Sequence, residues 1–173
     1  EYYLQCQAVM GRRDSRIKKN IKQIVTTEHF LNLIENIQLT EYDYISKENG
    51  DHTYGYIAQQ VKTHFPEAID IGIGFIPDEQ KMIKNTLLQK YEDGEKTKWK
   101  LIIPNLKFEN NHTGKCKFYC SNKIDEDSKC IKINIESDKK TLIFDEKYEN
   151  IFFYGKEVND FHYIDKNKIY NLH

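Results

Sequence analysis

The spacing of apolar residues predicts three helices in the first half of the chain. The first begins after Thr27, and its inward face is formed by Phe30, Leu33, Ile34 and Ile37. The second is short and is ended by Pro66, and one face carries Ile57, Val61, His64 and Phe65. The third is predicted over 78–91, with inward residues about one turn apart: Met82 or Ile83, Leu87 and Tyr91.

Period-two alternation predicts strands in both halves and more of them in the second. A tyrosine-rich strand over 39–44 precedes the turn signal Asn49–Gly50, and the Ile/Gly alternation over 69–76 predicts another strand. From Lys98 onward, apolar runs separated by polar turns predict strands over 99–103, 115–119, 131–135, 141–144 and 151–158. The pattern therefore predicts an α+β fold with a β-rich second half.

Composition narrows the possible functions. The 173 residues are 39% apolar and 13% aromatic, which is enough for a packed core. A formal net charge of −1 argues against a general nucleic-acid binder, which is expected to be basic. No apolar run approaches the roughly 18 residues of a membrane span, so no membrane partner is expected. Four cysteines are too few for a disulfide scaffold and indicate reduced thiols.

Two short patterns could carry chemistry, and neither is specific. Ser15 and Lys18 have the Ser-x-x-Lys spacing of acyl-transfer enzymes, but Ser137–Lys140 repeats it within a predicted turn. Four side chains could supply zinc ligands: His112, Cys116, Cys120 and Cys130. Residues four apart on a strand are about 13 Å apart, so the first three could not converge without a bend. We therefore expect small, half-buried thiols on strands and no metal.

Two segments, 13–21 and 54–69, resemble the signature blocks of the peptidase S74 family. This is the C-terminal intramolecular chaperone domain of phage endosialidases and tail fibres, and it also occurs in the myelin regulatory factor. The matching positions are Asp14, Arg16, Lys18, Asn20, Tyr54, Gly55, Ile57, Ala58, Gln59, Pro66 and Glu67. The tail over 151–167 looks like that of S74-type proteins from large eukaryotic DNA viruses.

The resemblance implies a homotrimeric chaperone, without cofactor, that assembles an upstream passenger of the same polypeptide and then cuts itself off. The family's serine attacks the peptide bond before it, with a neutral lysine as base. Lys18 occupies the base position, but Arg13 occupies the nucleophile position, and a guanidinium cannot attack a carbonyl. We therefore expect the Arg12–Arg13 bond to stay intact. Ser15 is a weaker substitute nucleophile, which would cut Asp14–Ser15 instead.

The expected organisation is a passenger end over 1–12, an S74-like core over 13–97 and a β-rich extension over 98–173 that leads to a coiled-coil helix. Three interpretations stay open at this point. The chain is a cleavage-defective chaperone, a permanent trimerisation or receptor-contact module of a viral fibre, or an active autoprotease using Ser15 and Lys18. The resemblance implies a virus-associated protein made in the host cytoplasm.

Overall fold

The computed structural model describes residues 28–45, 52–123 and 127–170. Contacts divide the chain into two units, Glu1–Asn32 and Leu33–His173. Only the start of one helix is described in the first unit, so the fold below is that of the second. The predicted cap Thr27 and turn Asn49–Gly50 lie outside the described residues.

The described chain contains three α-helices, two single 3-10 turns and ten strands. The helices are α1 (Glu28–Asn36), α2 (Ala58–His64) and α3 (Lys166–Tyr170), and the 3-10 turns are Pro66–Ala68 and Asn85–Leu87. The strands are β1 (Thr40–Tyr42), β2 (Thr53–Gly55), β3 (Ile69–Ile76), β4 (Lys81–Ile83), β5 (Leu88–Asp93), β6 (Lys96–Ile102), β7 (His112–Ser121), β8 (Lys129–Asn134), β9 (Thr141–Phe144) and β10 (Asn150–Ile164). None of the described helices is long and apolar enough to cross a membrane.

All described strand pairs are antiparallel, and they form three sheets. The hairpin β1–β2 stands by itself, β5, β6 and β9 form a second sheet, and the largest sheet has the order β3-β10-β7-β8. The 15-residue β10 pairs along one side first with β4 and then with β3, and along the other side with β7. Because β10 pairs with three strands, it is the centre of the large sheet.

Aromatic rings of β10 explain the Ile/Gly alternation of β3. Gly72 lies directly opposite Phe161, and Gly74 is so close to the Phe161 ring that a Cβ there would overlap it. Glycine is required where a neighbouring ring approaches the backbone this closely. A different role belongs to Gly94, which has φ +64° in the β5–β6 turn and open space around it.

The larger hydrophobic core, which we call the sheet core, lies between the two larger sheets. Phe118 is fully buried at its centre, with ring centroids 4.5 Å from Phe153 and 5.2 Å from Phe144. Its other buried members are Leu88, Leu101, Cys116, Cys120, Leu142, Tyr148 and Ile151. Alternation along β7 and β10 supplies half of the ten buried residues.

A smaller core, which we call the signature core, is built by elements far apart in the chain. Its buried members are Leu33, Ile37, Val61, Ala68 and Ile169. They come from α1 and the residue after it, α2, the 3-10 turn and α3. Ile164 and Ile69, which face each other across β10 and β3, pack against it.

Most predicted elements are confirmed. The first two helices, the strand over 69–76 and the five late strands all form, with ends shifted by a few residues. Leu33, Ile37 and Val61 are buried as predicted, but His64 is exposed and does not share the inward face. The chain is mostly β-sheet with short helices, so α+β holds in this coarse sense.

The helix predicted over 78–91 is wrong. That segment contains β4, a 3-10 turn and the start of β5, and the supposed inward residues Met82 and Leu87 are 62% and 52% exposed. Met82 pairs with Phe152 of β10, and Leu88 pairs with Leu101 of β6. Pairing with distant strands therefore overrides the local helical spacing.

Candidate functional site

The residues predicted to carry chemistry fall in the part of the chain that the structure does not describe. They are Arg12, Arg13, Asp14, Ser15, Arg16, Lys18 and Asn20. Their roles stay predictions. The remaining signature positions are described, and they lie on β2, on α2 and in the 3-10 turn that follows it.

Gly55 is needed at the open end of the hairpin, where the Tyr42 side chain approaches its backbone. It pairs with Thr40, and a Cβ at Gly55 would lie 2.7 Å from the hydroxyl oxygen of Tyr42. Tyr54, directly opposite Glu41, is exposed and donates a 3.4 Å hydrogen bond from its hydroxyl to that carboxylate. The Tyr-Gly pair of the signature thus combines an exposed ring with a close backbone approach.

The Ile-Ala-Gln triplet starts α2. Ile57 is the residue before the helix, and its carbonyl accepts a 3.0 Å hydrogen bond from the Val61 amide. Ala58 begins the helix, and Gln59 lies on its exposed side. The buried position one turn on is Val61, so the triplet sets how the helix enters the signature core.

Pro66 and Glu67 form a turn that receives the end of the chain. The proline occupies the first position of the 3-10 turn, where its missing N–H costs no hydrogen bond. The Ala68 carbonyl accepts a 2.8 Å hydrogen bond from the Asp165 amide, and the Glu67 carbonyl accepts one of 2.6 Å from Lys168 Nζ. The signature turn is therefore hydrogen-bonded to a segment about one hundred residues downstream.

A tyrosine-rich groove of about 360 Å³ lies beside the hairpin. It is lined by Leu39, Tyr42, Tyr44, Thr53, Tyr54, Gly55, Tyr56, Ile164, Lys166 and Ile169. The Tyr42 and Tyr44 hydroxyl oxygens are 3.4 Å apart, and this hydrogen bond, with burial, raises the pKa of Tyr42. The raised pKa keeps the Tyr42 phenol neutral at physiological pH.

Comparison with known protein families agrees with the resemblance of the two signature blocks. Residues 14–70 match the Peptidase_S74 family model, described as chaperone of endosialidase. The resemblance is confirmed over residues 14–70, which we call the S74 segment because they match this family model. Over 77 residues the chain is 38% identical to "Uncharacterized protein VP1" of Micromonas pusilla reovirus (isolate Netherlands/2005).

This relative is a viral protein. The alignment covers 43% of this chain and 4% of VP1, so the chain corresponds to a small part of that protein. The specific likeness to proteins of large DNA viruses stays a prediction. No solved structure matches the chain.

A second polar pocket lies beside the S74 segment. It has a volume of about 280 Å³ and is lined by Gln59, Ile76, Asn111, Val158, Asp160, Phe161 and His162. The Asn111 amide donates to Asp160 at 3.1 Å, and Lys62 Nζ lies 3.1 Å from His162 Nε2. The signature residue Gln59 is thus next to polar side chains of the β-rich half.

A buried ionic cluster next to the S74 segment escaped sequence analysis. Lys156, 3% exposed, donates hydrogen bonds to Asp78 at 2.5 Å and Glu79 at 2.6 Å, and Lys81 binds the other oxygen of Glu79. The Lys156 amide also donates to Asp78 at 2.9 Å. The only sequence signal was a Lys-Glu pair inside the apolar run of β10.

Charge pairing decides the protonation of this cluster. Burial alone would raise the pKa of Glu79, but hydrogen bonds from Lys156 and Lys81 outweigh it and hold that pKa below its usual value. Burial likewise lowers the pKa of Lys156, but its bonds to Asp78 and Glu79 outweigh this effect and raise it. Lys156 therefore stays charged and holds the loop after β3 against β10.

The predicted thiols fall into two environments. Cys116 and Cys120 are fully buried on β7, where burial raises the pKa of each to about 12, while Cys130 on β8 is exposed. His112 Nδ1 accepts a 2.7 Å hydrogen bond from the Glu109 amide. Among residues 28–45, 52–123 and 127–170, no cluster of His, Cys, Asp or Glu could hold a metal. The expectation that these thiols are half-buried is wrong. Alternation along β7 buries Cys116 and Cys120 completely, and Cys130 on β8 is exposed.

Proposed function

We propose that this chain is an intramolecular chaperone of a viral protein, that it assembles three copies, and that it does not cut itself. The match of residues 14–70 to the chaperone of endosialidase family carries this proposal. The viral relative supports the viral setting. The passenger is an upstream part of the same polypeptide, of fibre-like or β-rich structure.

The described signature positions support a structural role for the segment. They do not gather around one reactive centre: Gly55 accommodates Tyr42, Ile57 starts α2, and the Pro66–Ala68 turn contacts the chain end. Each of these contacts shapes the backbone. A chaperone needs such a rigid surface on which copies and passenger are aligned, whether or not cleavage follows.

The loss of cleavage follows from the chemistry of residue 13. In the family reaction a serine oxygen attacks the preceding carbonyl carbon and its proton passes to the neutral lysine. The lysine returns that proton to the leaving amine as the C–N bond breaks, and water then hydrolyses the ester. Arg13 offers no hydroxyl, and its guanidinium stays protonated. A neighbouring cation would favour a neutral Lys18, but a base without a nucleophile cleaves nothing.

The test uses a chain extended upstream into the passenger. We expect one uncut band and a particle three times the mass of the single chain by light scattering. In the Arg13→Ser variant we expect cleavage after Arg12, with a new N-terminus at residue 13 seen by mass spectrometry. Arg13→Ala and the double variant Arg13→Ser/Lys18→Ala are the matched controls and should stay whole.

Other outcomes would separate the remaining candidates. A monomer in the uncut chain would contradict the chaperone proposal. A new N-terminus at Ser15 in the unaltered chain would instead support an autoprotease that uses Ser15 and Lys18. The substitution at residue 13 also favours a second role, a permanent trimerisation or receptor-contact module, because an uncut chaperone stays on its passenger. Detection of the segment in purified particles would support that role.

A further inference from the structure

We propose that the C-terminal strap, residues 164–169, is an obligatory part of the S74 segment. The strap consists of the last residue of β10, Asp165 and the first four residues of α3. It holds the signature turn, residues 65–68, in its folded conformation. The family match ends at residue 70, so this dependence is not part of the match. The proposal rests on contacts within the chain and stands independently of the proposed chaperone function.

Hydrogen bonds tie the strap to backbone atoms of the signature turn. The Asp165 amide donates to the Ala68 carbonyl at 2.8 Å, and Lys168 Nζ donates to the Glu67 carbonyl at 2.6 Å. Both acceptors are carbonyls that the short 3-10 turn does not itself satisfy in the described contacts. Because both bonds go to backbone carbonyls, they depend on the conformation of the turn and not on the identity of its side chains.

Burial makes the strap part of the core and not an appendage. Ile169 is 1% exposed and belongs to the signature core together with Leu33, Ile37, Val61 and Ala68. Five buried members of this core are among the described residues, and Ile169 is the one that the strap contributes. Deleting a buried isoleucine side chain typically shifts the opening equilibrium of its core by about 30-fold or more.

The strap is anchored at its other end by the large sheet. Ile164 pairs with Ile69, the residue immediately after the signature turn, and His162 lies 3.1 Å from Lys62 of α2. The chain therefore enters the strap from a paired strand that already lies against the signature turn. Any segment that continues after α3 starts beside the signature core.

Amide hydrogen exchange on the full chain tests the proposal. We expect Ile169→Ala to raise exchange over 58–69 by about tenfold or more, because the local opening of α2 and the turn becomes easier. Exchange in β6 and β9, which belong to the sheet core, should stay unchanged. Lys168→Met should raise exchange over 65–68 to a smaller extent.

Lys166→Met is the matched control, since it makes the same substitution on the exposed side of the same short helix. It should leave exchange over 58–69 as in the unaltered chain. Equal acceleration of β6, β9 and 58–69 in Ile169→Ala, or no acceleration over 58–69, would overturn the proposal. If Ile169→Ala does not fold, the milder Ile169→Val takes its place, with the same two outcomes deciding. Oligomeric state is measured separately, so failure of the trimer leaves this result intact.

Discussion

The sheet core and the signature core differ in how much of the chain each needs. The sheet core has ten buried residues, and most are on adjacent antiparallel strands that alternate in and out. The signature core has five, and they come from four elements separated by most of the described chain. Most members of the sheet core lie on strands within residues 88–153 that pair with one another, while the described part of the signature core forms only when residues 33–68 meet Ile169. The segment that carries the family signature is the less self-sufficient of the two.

Removing the central ring of the sheet core should have the largest effect. Phe118→Ala leaves a cavity between Phe144 and Phe153, and we expect a loss of about 3–5 kcal/mol in the free energy of unfolding. Urea denaturation followed by circular dichroism measures it. Ile73→Ala, at a position that is mostly exposed, is the control and should change stability by less than about 0.5 kcal/mol. A similar small change in Phe118→Ala would contradict the packing described.

The second-largest loss of stability is expected at the ionic cluster beside the sheet core. Lys156→Met leaves Asp78 and Glu79 without their buried partner, and we expect a loss of about 2–3 kcal/mol at pH 7. The same bonds lower the pKa of Glu79, so its contribution is present above its usual pKa of 4.5 and is lost as pH falls through the lower folded value. Thermal unfolding between pH 7 and 3 measures this.

The unaltered chain should therefore lose more stability on acidification than Lys156→Met. Lys117→Met, on the same sheet but outside this cluster, is the control and should keep the acid dependence of the unaltered chain. Parallel pH profiles for the unaltered chain and Lys156→Met would show that the pairing does not stabilise the fold.

The smallest effect is expected at the signature hairpin. Gly55→Ala pushes the Tyr42 hydroxyl away, which costs about 1 kcal/mol because the ring end can move. Tyr42→Phe removes the oxygen nearest to the new methyl group, so the cost of Gly55→Ala should fall in that background. A double-mutant cycle by urea denaturation measures the coupling, and an additive result would contradict the close approach.

Sequence patterns predicted the parts of the fold that depend on neighbours in the chain. Alternation located β3 and the late strands. One face of each late strand packs inward, whereas in β3 the glycine positions face the Phe161 and Tyr163 rings and Ile71 and Ile73 are exposed. It failed over 78–91, where Met82 and Leu87 have helical spacing but the backbone pairs with β10 and β6. Nothing local marks Ile169 as a core residue, since the residues that bury it lie about one hundred positions or more upstream.

The candidate site could be predicted from the sequence only in part. The resemblance identified the positions on β2, α2 and the turn, but spacing alone gives no reason why Pro66 and Glu67 matter. That reason is the contact with Asp165 and Lys168, which only the folded chain provides. Lys156 was overlooked because a lysine in an amphipathic strand normally points to solvent, and its two acidic partners lie in a loop that was predicted as helix.

The open turn at Gly94 gives the molecule a convenient handle. A cysteine at the exposed neighbour Glu95 leaves Gly94 in place, as its φ of +64° requires, and the turn belongs to neither the hairpin nor the strap. A dye attached in this turn would allow single-molecule photobleaching steps to count the chains in each particle, and it would leave the hairpin and the strap unmodified.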